Sequence, residues 1–174
     1  MQYFYGPLTR LGLIAAVIAG AADQAAKLWL LFWFDLATRG IVRLTPFLDV
    51  VLTWNTGISY GLFPQDGDFG RAVLLALKLG AVVLLWIWLA RAEQRLTAVA
   101  LGLIIGGAIG NTIDRLAYGA VVDFVLFHIT TPTFNFTWYV FNLADTAIVA
   151  GVIGLLYESV VGGGVPQKRP DPPG

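Results

Sequence analysis

The chain has no cysteine, one histidine (His128) and one methionine among its 174 residues. The missing thiols exclude disulfide frameworks, cysteine nucleophiles and cysteine-rich metal sites, and a single imidazole cannot build a histidine zinc cage. Charge is scarce too: 13% of residues carry one, about half the share of an ordinary soluble domain. Eleven Lys+Arg balance eleven Asp+Glu. With no basic excess there is no broad cationic face to displace counterions from a phosphate backbone, so nucleic acid is excluded as a partner. Chemistry must come from carboxylates, hydroxyls, amides or a few cations, and no metal and no cofactor are expected.

What the chain has in abundance is apolar surface: 57% of its residues are hydrophobic and the mean hydropathy is +0.75. This composition belongs to a membrane protein. About 20 apolar residues cross a bilayer, and four segments qualify, at residues 11–34, 72–90, 96–113 and 139–161. A cleaved signal peptide is the competing reading of the first, with Arg10 as its positive region. The apolar run continues unbroken through Trp29 to Phe34, however, which favours a span. The expected fold is an all-α membrane protein, a single domain over residues 1–161 with four transmembrane helices, a small extracytoplasmic β-rich element and an interfacial loop. Residues 162–174, polar and rich in proline, are expected to form a disordered cytoplasmic tail.

Cations set the orientation. Arg10 precedes the first span, Arg91 and Arg95 sit in a tight turn, and Lys168 and Arg169 follow the fourth, so both termini are expected in the cytoplasm. The long connections, from Asp35 to Arg71 and from Asp114 to Trp138, then face outward. Within them Val50–Trp54 and Phe134–Trp138 are β-branched and aromatic, as in short strands at a membrane surface. Gly102, Gly106 and Gly110 recur at four-residue spacing, a ridge on which another helix can approach closely. Ala147, Gly151 and the Ala150/Gly154 pair offer a similar surface on the fourth span.

Ionisable groups in or near hydrocarbon are costly unless paired, so each is a functional candidate. Asp23 and Lys27 stand at i and i+4 and read as a structural salt bridge, with Lys27 snorkelling outward. Asn111, Asp114 and Arg115 share one helix face, as do Asn142 and Asp145. Asp123 lies in the apolar, strand-like run Val121–Phe124. The chain directions bring Asp123 and Asp145 to the same depth near the outer leaflet. Two facing carboxylates share a proton, and such a pair can activate water and protonate a scissile carbonyl. Asn55 could add a polar contact. The alternative stays open on spacing alone: these acids could pair with Arg115 and cap helices. His128 falls outside these clusters and reads as a surface residue.

Five ordered motifs go further: Asp23-Gln-Ala-Ala-Lys27, Asn55-Thr-Gly57 with Gly61, Gly106-Gly-Ala-Ile-Gly-Asn-Thr-Ile-Asp-Arg115, Val121-Val-Asp-Phe124 and Phe141-Asn-Leu-Ala-Asp145. Together they resemble the lipoprotein signal peptidase (bacterial signal peptidase II) family across nearly the whole chain outside the tail. The resemblance implies an aspartyl endopeptidase of the bacterial inner membrane. Such an enzyme removes the signal peptide from diacylglyceryl-modified prolipoproteins, cleaving just before the lipidated lipobox cysteine. It implies a catalytic dyad of Asp123 and Asp145, with Asn55, Asn111, Arg115 and Asn142 supporting the dyad and the substrate backbone. Asp23, Lys27 and Asp114 match motif positions and are read as structural polar residues. Membrane lipids and prolipoproteins are the expected partners, and the enzyme is expected to be a monomer with its active site near the periplasmic face. Ile58, Ser59 and Tyr60 depart from the small residues and Phe usual after Asn-x-Gly, which bears on the groove's local shape. A proton- or ion-coupled transporter and a non-catalytic scaffold are the competing classes. Against a transporter, no inverted repeat is visible and the polar residues cluster at one surface.

Overall fold

The computed structural model describes residues 4–56 and 80–162. Three helices among them are long and apolar enough to cross a membrane: Thr9–Trp33, Arg95–Tyr118 and Leu143–Val161. The first is helix α1, Thr9–Leu28, continued by a π-helical turn over Trp29–Trp33. A short α2, Leu36–Arg39, follows Asp35, whose left-handed backbone (φ 53°) ends the span. Gly80–Ala90 is a shorter apolar helix, α3. Helix α4 runs Arg95–Tyr118 and α5 Leu143–Gly162. Of the segment expected to span at 72–90, residues 72–79 lie outside the described residues, as do Gly57 to Gly61 and the tail from residue 163.

Helix α4 is the centre of the bundle, packed between α1 and α5. Its glycine ridge does what the spacing predicts. A Cβ at Gly102 would collide with Gly12 O of α1 and one at Gly106 with Ala16 O, so both positions must stay bare for the two backbones to touch. On the opposite side Gly107 meets Ala144 O and Gly151 meets Ala100 O, which seats α5 as closely. In lipid, where no hydrophobic force draws helices together, such close backbone contact supplies the dispersion that does. Near the other end of α4, the Thr97 hydroxyl donates to Glu158 Oε2 of α5.

The second layer is a four-stranded sheet, antiparallel throughout, in the order β1-β2-β3-β4: Val42–Thr45, Leu48–Asn55, Val121–Thr130 and Asn135–Thr137. Thus the molecule is mostly helical with a small sheet. β3 is longer than the strand-like run seen in the sequence. Phe124 of β3 packs with Leu30 and Leu36, which fixes the sheet on the end of the α1 span. β2 and β3 pair Val50 with Val125 but Thr53 with Asp123, so β2 holds one extra residue between them. That bulge bends β2 and sets Thr53 and Asn55 beside the start of β3.

Two span boundaries differ from expectation. The third helix does not stop at Ile113 but continues to Tyr118, ending at the left-handed Gly119 (φ 75°). Asn111, Asp114 and Arg115 therefore lie inside a helix. The fourth begins at Leu143 and not at Tyr139. Phe141 pairs with Val125 through reciprocal backbone bonds of 3.0 and 2.8 Å, and this ties it to the sheet and not to the helix.

Candidate active site

Asp123 is placed by β3 and Asp145 by the first turn of α5; Asn142 joins them. The Asn142 side chain is fully buried. Its Nδ2 donates to Asp123 Oδ1 at 2.6 Å, and its Oδ1 accepts the Asp145 N–H at 2.9 Å. The Asn142 N–H in turn donates to Asp145 Oδ2 at 3.3 Å. This reciprocal pair is a capping box, in which the residue before the helix and the third residue within it satisfy each other's orphan groups. Asn-x-x-Asp at positions 142–145 thus starts α5 and fixes one carboxylate in the same stroke.

Two further amides complete the ring. Asn55 of β2 donates through Nδ2 to Asp123 Oδ2 at 3.1 Å. Asn111 of α4 donates through Nδ2 to Asp145 Oδ1 at 2.8 Å, while its Oδ1 accepts Asn142 Nδ2 at 3.0 Å. Each of the four carboxylate oxygens therefore faces an N–H. Arg115 is half-buried and donates to Asn111 O at 3.2 Å. Its charge acts on Asp145, Asp123 and Asp114, although it forms no ion pair with them.

Asp123 is 2% exposed. Burial pushes its carboxyl above the ordinary carboxylate range, and the negative charge of Asp145 adds to that. The donors on Asn55 and Asn142 and the charge of Lys27 oppose it. An acid held neutral more easily than usual, beside a second carboxyl, is what proton transfer at a peptide carbonyl requires.

Beneath the two acids lies a second polar cluster, of Asp23, Lys27 and Asp114, each at most 1% exposed. Lys27 Nζ sits 2.7 Å from Asp23 Oδ2 and 2.7 Å from Asp114 Oδ2, and donates to Asn111 Oδ1 at 3.2 Å. The expected salt bridge exists, but Lys27 points inward and does not snorkel, because two carboxylates and an amide oxygen solvate it inside the bundle. Gln24, a motif residue with no role read from sequence, donates to Asp114 Oδ1 at 2.8 Å and to Gly110 O at 3.1 Å. Asp114 pairs with Lys27 and not with Arg115. The capping half of the alternative is realised, by Asp145 itself and by Asp23, whose Oδ1 accepts the Ala144 N–H at 2.9 Å.

A cleft of about 630 Å³ opens over Asp123, lined by Trp54, Asn55, Leu126, Thr137, Trp138 and Tyr139 among others. Its aromatic rim includes residues the sequence marks as interfacial. His128 is not a free surface residue: it is half-buried, with Nε2 3.1 Å from Oδ2 of the buried Asp49. That contact depends on the register of β2 against β3, and no sequence pattern announces it.

The comparisons agree with one another. A family model described as Signal peptidase (SPase) II matches residues 14–161. A curated protein of Nitrobacter hamburgensis named lipoprotein signal peptidase is 67% identical over 150 residues, covering 86% of this chain and 92% of that one. One of the same name from Rhodopseudomonas palustris strain TIE-1 is 60% identical over 153 residues, covering 88% of this chain and 93% of that one. Among solved structures, a bacterial membrane enzyme determined by the in meso method at 2.3 Å resolution superimposes with a TM-score of 0.67 at 25% identity, covering 99% of each chain. A second, at 1.9 Å resolution, gives 0.64 at 26% identity, covering 92% of this chain and 98% of that one.

Proposed function

From the premise that this chain belongs to the signal peptidase II family, we propose that it is an aspartic endopeptidase of the bacterial inner membrane. Its substrates are diacylglyceryl-modified prolipoproteins, cut just before the lipidated lipobox cysteine. The observation that carries the reading is the Asn142-centred ring, which holds Asp123 and Asp145 in one hydrogen-bonded unit, with Asp123 lining the cleft. A transporter reading finds no support in these relatives.

In the proposed mechanism Asp145 is the base and Asp123 the acid. Asp145 takes a proton from water as the water oxygen attacks the scissile carbonyl carbon, and Asp123 gives its proton to the carbonyl oxygen. Collapse of the resulting diol breaks the C–N bond. The leaving amine takes the proton from Asp145 and a diol hydroxyl returns one to Asp123, so the enzyme ends as it began. Asn55, Asn111 and Asn142 keep donors on both carboxylates throughout, and Arg115 balances their charge.

Four spans are proposed, the second across residues 72–90, with both termini in the cytoplasm and the acids near the periplasmic face. There water can reach them without charge entering the hydrocarbon centre. The aromatic rim of Trp54, Trp138 and Tyr139 lies at the level where lipid-anchored substrate arrives. We expect the enzyme to act as a monomer. The test is cleavage of a diacylglyceryl-modified prolipoprotein by purified Asp123→Asn and Asp145→Asn enzymes, with folding checked by thermal melting. Each change is expected to cost at least about a hundredfold and the double change little more, because residues acting as a unit are not additive. Near-normal rates in either folded variant overturn the mechanism.

A further inference from the structure

The buried Asp23–Lys27–Asp114 cluster touches every element that carries the proposed dyad. Asp114 Oδ2 accepts the N–H of Val122, the residue before Asp123, at 3.1 Å. Asp23 Oδ1 accepts the N–H of Ala144, the residue before Asp145. Lys27 reaches Asn111, the donor to Asp145. Packing alone does not call for this arrangement, since a buried ion cluster is weak evidence of stability and apolar side chains of similar volume often serve as well.

A side-chain amide can turn either end toward a neighbour, and a carboxylate needs the nitrogen end. An ammonium offers donors only. The Asn111 atom 3.2 Å from Lys27 Nζ must therefore be the oxygen, which leaves Nδ2 to face Asp145 Oδ1 at 2.8 Å. The same oxygen accepts Asn142 Nδ2, so the second amide is set as well, its nitrogen toward Asp123 and its oxygen toward the Asp145 N–H. Reversing Asn111 would set NH₂ against ammonium, NH₂ against Asn142 Nδ2 and oxygen against the Asp145 carboxylate.

We infer that Lys27 is a positioning residue of the dyad: its ammonium fixes the direction of the Asn111 amide, and through it that of Asn142, so that both carboxylates face donors. This rests on the aspartyl reading above. The charged groups around this chain of amides are Asp23 on α1, Asp114 and Arg115 on α4, Asp123 on β3 and Asp145 on α5.

The experiment compares full-length Lys27→Met with wild type in detergent micelles, measuring kcat, KM and the pH profile of kcat on a diacylglyceryl-modified prolipoprotein. With Asn111 free to turn, kcat is expected to fall at least about tenfold with KM changed less than about twofold. The pH profile of kcat should be displaced from that of wild type, since reversing Asn111 replaces the donor at Asp145 Oδ1 by an amide oxygen. Removing the ammonium strands two buried carboxylates and can prevent folding. The companion variant Asp23→Asn/Lys27→Met/Asp114→Asn removes the three charges together while keeping oxygens for Ala144 and Val122. It is expected to fold and to show the same displaced profile. A wild-type kcat and profile in either folded variant overturns the inference. Asp145→Asn is run alongside. If it is inactive while a folded Lys27 variant behaves as wild type, the inference alone fails; if it is active, the aspartyl reading fails and takes the inference with it.

Discussion

Asn142 holds two jobs that a pair of substitutions can separate. Its Oδ1 caps α5 through the Asp145 N–H, and its Nδ2 donates to Asp123. Asn142→Ala removes both functions; Asn142→Ser keeps a capping oxygen but loses the amide donor. An N-cap is worth about 1 kcal/mol, so Asn142→Ala should be less stable than Asn142→Ser by about that amount. The donor bears on rate. In the proposed mechanism Asp123 gives up its proton and becomes a carboxylate 2% exposed, and the 2.6 Å bond from Asn142 would then stabilise a charge that the protonated ground state lacks. A hydrogen bond to a charged group contributes about 1.5–3 kcal/mol. Confined to the transition state, that is a loss of about ten- to 150-fold in kcat in both variants. Prolipoprotein cleavage gives the rates and thermal melting in detergent the stabilities. A folded Asn142→Ser enzyme within about threefold of wild-type kcat, or one as unstable as Asn142→Ala, would refute the division of roles.

Asn55→Ala removes a donor that favours the ionised form of Asp123. An acid works only while protonated and is lost as pH rises through its raised pKa, so the basic limb of the kcat profile should move to still higher pH; an unmoved limb, or one moved down, contradicts the acid role. Arg115→Ala leaves the helical hydrogen bonds of α4 in place but removes the cation that acts on Asp145 and Asp123. It should lose kcat well before it loses melting temperature, and wild-type turnover would show that this charge is idle. For topology, Glu93→Cys and Pro132→Cys can be labelled singly, since the chain has no cysteine. On intact spheroplasts an impermeant thiol reagent should mark Pro132→Cys and spare Glu93→Cys, and the reverse pattern would invert the proposed orientation.

How far the sequence could be read depended on whether an interaction was local. The glycine ridge on α4 was legible because its four-residue spacing is the helix's own period, and Gly102 and Gly106 do meet the backbone of α1. The shared face of Asn111 with Asp114 was legible for the same reason, whereas Asn142, expected inside the helix with Asp145, stands before it and meets Asp145 as its cap. Hydropathy misplaced the start of α5, since Tyr139, Val140 and Phe141 are as apolar as a span. Yet the Asn-x-x-Asp capping signature stood three residues further on, and it marked the true boundary. The Asp49–His128 contact depends on cross-strand register, and the register depends on a bulge in β2 that nothing in the alternation of side chains encodes. Asp23 capping a helix 121 positions away is a product of the assembled bundle.

Spacing leaves two accounts of the acids, catalytic pair or helix caps, and at Asp145 the proposed catalytic role and the observed cap fall on one arrangement. A carboxylate that must change protonation has to stay put while its charge changes, and a free Asp side chain has rotamers to wander among. Closing a capping box spends Oδ2 on the Asn142 N–H and leaves Oδ1 to Asn111, so the helix start itself locks the carboxyl. Asp123 cannot be held this way, because a strand offers no orphan N–H groups at its end. It is clamped by amides from β2 and from the residue before α5. The two acids thus differ in what immobilises them, a backbone N–H at the helix start together with one amide for Asp145 and side-chain amides alone for Asp123. This difference accords with the different roles proposed for them, and on that proposal substitutions in the amide clamp, Asn55 and Asn142, are expected to act on Asp123 first.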